Sequence, residues 1–208
     1  SKALELFRLG FSQTVIQALG GCTGFFVNSS LMFYTTVSHV AIWNIVQKIY
    51  TFLLMPIVGV TQSVQTIIAY YNGNSQRTKT QKTIRLTVFY TISYGCIAAS
   101  FIFLLGNKIL NLFGASGDIM WKSRDVLKIV FLTFPIVGIF YTILILLEVT
   151  GHEIKAVILT LSRQVFLMLP LVYLIPNLFP QSENSIFWAV PISDLCVLFM
   201  AVFLAKKR

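Results

Sequence analysis

The sequence predicts an all-α membrane protein, a bundle of six transmembrane helices. Six apolar segments, at about 11–34, 41–71, 84–105, 126–149, 156–175 and 186–204, each reach or approach the roughly 20 residues a helix needs to cross a hydrocarbon core. Only 11% of the 208 residues are charged, against about 25% in a soluble domain, and the mean hydropathy is +0.80. The segments are also too long and too continuously apolar for the strands of a membrane barrel, which alternate over about 10 residues. Helices and closed barrels are the two ways to satisfy a backbone in lipid, so helices remain.

The first helix follows a short amphipathic approach, SKALELFRLG, as after a cytoplasmic linker. It carries Gln17 and Asn28, candidates to face a polar cleft, and Gly20 and Gly24, whose spacing allows close helix approach. Packing is the favoured reading of the glycine pair. After an outside turn near 35–40 comes the second helix, with Asn44, Gln47 and Lys48 at its outer end. Pro56 sits between these and Gln62 and Gln65, which share a face. A proline removes a backbone donor and kinks a helix, so this segment reads either as a bent wall of a polar cavity or as glutamines bonding to neighbouring helices.

The second helix stops at Asn72-Gly73, and the loop expected over 72–83 leads through Arg77, Lys79 and Lys82 toward Arg85 without an acidic residue. The third helix ends at an outside turn, FGASGD (113–118). The fourth contains Tyr141 and, near its inner end, Glu148. Gly151, in the inside turn at 150–155, suits the left-handed stop of a helix. The fifth helix holds Arg163, an outside turn spans 176–185, and the sixth holds Asp194.

Charge sets the expected orientation. With the N-terminus inside, eleven lysines and arginines lie on the cytoplasmic side and five outside, so both termini are expected in the cytoplasm. The net charge of +9 sits mainly at the ends of apolar segments, which points to a membrane surface and away from nucleic acid. Cys22, Cys96 and Cys196 lack metal-ligand or redox spacing and read as buried free thiols. His39 and His152 fall in opposite loops, and Trp43, Tyr71 and Trp188 read as interfacial anchors. There is no phosphate loop, no pair of catalytic carboxylates and no Ser-His-Asp set, so the chain does not read as an enzyme or a metal protein.

Ionisable groups inside membrane helices are costly and need partners. From their distances to the helix ends, Asp194 and Arg163 are expected within about one helical turn in depth. A structural ion pair is favoured over a proton- or Na⁺-binding role for Asp194, since a nearby arginine suppresses protonation of a carboxylate. Glu148 is the third buried-charge candidate.

The stretch GVTQSVQTIIAYYNGNSQRTKTQKTIRL resembles the eighth-helix motif of the multidrug and toxin extrusion (MATE) transporters. Further matches in family order are LNLFGAS, LEVTGHEIKA, LSRQVFLMLPLVYLIP and FWAVPISDL. The resemblance is to the C-terminal lobe, helices seven to twelve, of the DinF- or MepA-like bacterial branch, the N-terminal lobe being absent from this chain. It implies a multi-pass protein of the bacterial inner membrane. The implied activity is antiport of cationic lipophilic compounds against Na⁺ or H⁺ by rocking of two lobes, with no cofactor beyond the coupling ion. The implied partners are the lipid bilayer, cationic drugs, and an N-terminal lobe in cis or a second copy. Two departures stand out: Thr66 replaces the usual proline after the second glutamine, and the helix-seven and helix-ten acids of one branch have no counterpart in QALGGCTGF and FPIVGIFYT. Aromatics including Phe25, Phe26, Phe33, Tyr50, Phe52, Tyr70, Phe140 and Tyr141 either wall a site for flat cations or face lipid and core. The alternatives to multidrug efflux are a lipid-linked oligosaccharide flippase of the same superfamily and a non-transporting scaffold subunit.

Overall fold

Long uninterrupted apolar runs give long helices here, because in the absence of water only the helix's own ladder satisfies each peptide group. In a computed structural model, described over residues 18, 21–35, 37–115, 117–179 and 184–206, every regular element is helical. The first, α1, covers 21–34. It is followed by α2 (Val37–Gly73), α3 (Arg77–Leu112), α4 (Asp118–Phe131), α5 (Phe134–Val149) and α6 (Glu153–Leu161). A π-helix, Ser162–Met168, joins α6 to α7 (Leu169–Leu178), and a 3₁₀ turn, Ser185–Trp188, leads into α8 (Ala189–Lys206). Four of these runs are long and apolar enough to cross a membrane, and the bent pair α4–α5 makes a fifth if it is one span.

The helices overrun the expected spans at several ends. The basic loop expected at 72–83 is only a tight turn closed by the Gln76 N–H on Tyr71 O at 2.9 Å and by Ser75 at φ 57°. Arg77, Lys79, Lys82 and Arg85 therefore stand on the first turns of α3. Their helix continues beyond the apolar run because backbone hydrogen bonding does not depend on side-chain hydropathy. Gly151 does take the left-handed conformation, at φ 75°.

Two proline effects reshape the later spans. The segment expected as one helix over 126–149 breaks at 132–133 and bends by 44°. Pro135 sits at the start of α5, has no N–H to offer Phe131, and its ring crowds that carbonyl. In the fifth span, Pro170 opens α7 and cannot donate to Phe166, and the preceding ladder runs as a π-helix. Pro56, by contrast, lies inside a continuous α2. One residue past the carbonyl it orphans, Leu53 O accepts a hydrogen bond from Tyr94 OH of α3 at 3.1 Å.

α3 packs along α5, α2 and α4, and α5 continues onto α8. α3 and α5 approach closely. A Cβ on Gly95 would lie 2.7 Å from Pro135 Cα, and one on Gly138 would lie 2.5 Å from Thr91 Cβ. Of the glycine pair singled out from the sequence, the structure describes Gly24. A Cβ on Gly24 meets nothing within 4 Å, and Gly20 lies outside the described residues. Thr61, Thr87, Thr91, Thr142 and Thr160 are buried, each donating its hydroxyl to the carbonyl one turn earlier, so they add polar groups without unpaired hydrogen bonds.

Several other expectations change. Trp43 is buried and stacked on Phe187 at 6.0 Å, not an interfacial anchor. His39 lies in the first turns of α2, buried against the same Phe187 ring, not in a loop. The three cysteines are exposed on the surface of the chain instead of buried. A thiol is apolar enough for a lipid-facing position.

Candidate functional site

The polar face of α2 meets α5 and the α6–π-helix run around a cavity of about 890 Å³. Spacing on α2 explains the wall: Gln62 and Gln65, with Val58 and Gly59 a turn earlier, project to the same side. Across the cavity, α5 presents Tyr141 and Glu148, two turns apart, and the π-helix presents Arg163 and Gln164. In an α-helix, adjacent residues diverge by about 100°; the wider π turn changes that angle and brings both neighbours onto the cavity wall. Gln65 Nε2 donates to Glu148 Oε2 at 3.2 Å, linking α2 to α5 across the cavity wall.

Arg163 closes the deeper end. Its Nη2 and Nε both lie 2.8 Å from Asp194 Oδ1 of α8. Nη2 also donates to Tyr50 OH at 3.2 Å, and Thr133 Oγ1 donates to Asp194 Oδ2 at 3.1 Å. The guanidinium lies 5.1 Å from the centre of the Phe140 ring. Asp194 is 5% exposed at its side chain and Arg163 17%, so the pair is largely desolvated. Thr133 occupies the break between α4 and α5, so Pro135, by bending the span, helps set a hydroxyl against the buried carboxylate.

A second, smaller cavity of about 210 Å³ lies beyond this pair, toward α1. Tyr141, Arg163 and Gln164 line both cavities, while Asp194 and Gly24 line the second. The structure thus gathers Gln62, Gln65, Tyr141, Glu148 and Arg163 around one cavity and Asp194 around its neighbour. Asn28 lines neither; its Oδ1 is buried with no hydrogen-bond partner among the described residues. Gln17 falls outside the described residues. Among the eight aromatics considered as a wall, Phe140 and Tyr141 line the large cavity and Tyr50 the small one, whereas Phe25, Phe33, Phe52 and Tyr70 are exposed on the surface of the chain. Sequence reasoning missed Gln164, Thr133, Gly95 and Gly138. Pro135 and Pro170 were the available signals for the first two.

The family model for MatE matches residues 15–174. The chain belongs to the MatE family. Among curated relatives, the multidrug export protein MepA of Staphylococcus haemolyticus is 24% identical over 200 residues, covering 96% of this chain and 43% of the relative. MepA of Staphylococcus aureus strain MSSA476 is 25% identical over 208 residues, covering 98% and 45%. This MatE chain therefore spans less than half the length of the curated relatives it matches. Solved structures agree on the fold. An inward-facing multidrug resistance MATE family transporter of the MOP superfamily superposes with a TM-score of 0.91 at 15% identity, over 99% of this chain and 48% of that one. The outward-facing conformation gives 0.89 at 16% identity, over 97% and 45%. The fold is that of one lobe of these two-lobe structures, and the chain is a multi-pass membrane protein of the MatE family.

Proposed function

We propose that this chain is the C-terminal lobe of a secondary antiporter that exports cationic lipophilic compounds in exchange for Na⁺ or H⁺. The observation that carries the reading is the polar-ended, aromatic-sided cavity of about 890 Å³, a size suited to a drug-sized ligand. Phe140 and Tyr141 offer ring faces to a flat cation, Glu148 and Gln65 offer carboxylate and amide oxygens, and Gln62 offers a further amide. A lobe that only braced a membrane assembly would not need such a space. A partner lobe, upstream in the same polypeptide or as a second copy, would close the cavity, and rocking of the two lobes would expose it to alternate sides. The membrane is the bacterial inner membrane, with both termini in the cytoplasm by a positive-inside bias that stands at ten to five once the buried Arg163 is set aside.

The coupling role belongs less to Asp194 than its place in a membrane helix suggests. Arg163 at 2.8 Å already pairs with the carboxylate and occupies the position a coupling cation would take. The test is ethidium efflux from drug-sensitive bacteria carrying this chain alone or joined to the six-helix region encoded upstream. Efflux only with the upstream half supports the lobe assignment, and collapse by a protonophore or by removal of Na⁺ identifies the ion. Efflux in neither case overturns the reading and leaves a lipid-linked oligosaccharide flippase or a scaffold.

A further inference from the structure

The first turns of α3 carry Arg77, Lys79, Lys82 and Arg85, all exposed. None of the four forms an ion pair with the described residues, and the sequence holds no aspartate or glutamate between Glu5 and Asp118. This is a concentrated positive field, not a set of structural salt bridges. Lys79 is held over the Tyr71 ring of α2 with Nζ 5.6 Å from its centre, which ties the patch to the turn between the two helices.

The surface below the patch is equally distinctive. Leu86 lies four residues from Lys82, and Phe89 lies four from Arg85, so each pair shares a helix face. Phe89 and Tyr90 are each 63% exposed, and Ile97, Phe101 and Leu104 continue the exposed apolar surface down the helix. The opposite face, with Thr80, Thr87, Thr91 and Gly95, is the buried one. α3 lines none of the three larger cavities, so this surface belongs to the periphery of the lobe.

We propose that this face is a binding site for an anionic phospholipid. The headgroup phosphate sits between Lys82 and Arg85 within the field of Arg77 and Lys79. The acyl chains lie along Leu86, Phe89, Tyr90 and Ile97. The charge complementarity commits the site to an acidic headgroup, and the apolar stripe directly beneath it commits the site to a lipid instead of a soluble anion. The inference is independent of the export reading.

The test uses the purified chain, or the full-length protein if the chain is part of one, in uncharged detergent. It is titrated with phosphatidylglycerol, with phosphatidylcholine, or with inorganic phosphate, and thermal unfolding is followed. Phosphatidylglycerol is expected to raise Tm by about 5 °C at saturation, less at high salt, with little response to the other two. Lys82→Gln with Arg85→Gln should weaken the apparent affinity about thirty-fold, or about five-fold per cation. Lys122→Gln with Arg124→Gln, at the other end of the bundle, should leave it unchanged. Equal stabilisation by phosphatidylcholine, the same shift from phosphate alone, or an unaltered response in the Lys82/Arg85 variant would each overturn the proposal. Lys82 and Arg85 are both exposed, so folding is not at stake in that variant.

Discussion

Replacing Asp194 by asparagine keeps the shape of the side chain and removes its charge, leaving the Arg163 guanidinium without its counter-ion in a largely dry setting. At the observed 2.8 Å and an effective dielectric of about 20, the Coulomb attraction is about 6 kcal/mol. Desolvation of both ions offsets much of that, so the intact pair contributes little net stability. Breaking it is another matter, since the surviving charge retains its desolvation cost: Asp194→Asn is expected to cost about 3–5 kcal/mol. In a chain of this size that corresponds to a fall in Tm of about 10 °C. Arg163→Met should cost a similar amount. The double variant Arg163→Met with Asp194→Leu should return to within about 1.5 kcal/mol of the parent, because two neutral groups then share an apolar site. Thermal unfolding of the four proteins in one detergent measures the cycle. If Asp194→Asn unfolds at the parent temperature yet abolishes export, the pair is not structural and the carboxylate is a transport group after all.

The other expectations rest on separate contacts. Gly138→Ala places a methyl 2.5 Å from Thr91 Cβ and 2.6 Å from its Oγ1 and should destabilise by about 1–3 kcal/mol, with partial recovery when Thr91 becomes glycine, which removes both atoms. Gly24→Ala, with nothing within 4 Å of the new methyl, should stay within about 0.5 kcal/mol of the parent; denaturation of both variants compares the two glycine sites. In the transporter that contains this lobe, Glu148→Gln and Gln65→Leu should each raise the KM for ethidium about ten-fold, equivalent to about 1.4 kcal/mol of lost binding, with Tm little changed. An unaltered KM would remove both residues from the substrate path. Cys96 and Cys196, on the surface of α3 and α8, should resist a membrane-impermeant maleimide in native membranes and react fully in dodecyl sulfate, as a labelling time course will read.

Much of this protein follows from hydropathy alone. In lipid the backbone must satisfy itself, so an apolar run of about 20 residues dictates a helix, and the positions of most helices and turns could be read without any knowledge of their neighbours. Local chemistry was also legible: Gly151 stops α5 in a left-handed turn, and Gln62 and Gln65 share a face because three residues make nearly one turn. Which faces meet was not legible. A glycine pair such as Gly20 and Gly24 has the spacing of a packing motif, but among the described glycines the close approaches are at Gly95 and Gly138, where Pro135 and Thr91 stand opposite. Small residues permit contact without choosing a partner. Trp43 and His39 have the composition of an interface, yet Phe187, more than a hundred residues away in sequence, covers both. The exposed cysteines make the same point, since hydropathy does not distinguish lipid from protein interior. Depth along the helices placed Asp194 and Arg163 at a similar level, but only the packing of α8 against the π-helix set their distance and added Thr133 and Tyr50. Sequence determined what crosses the membrane because that is a contest between each residue and its solvent; tertiary structure decided the site because a cavity is a relation among helices that no single segment encodes.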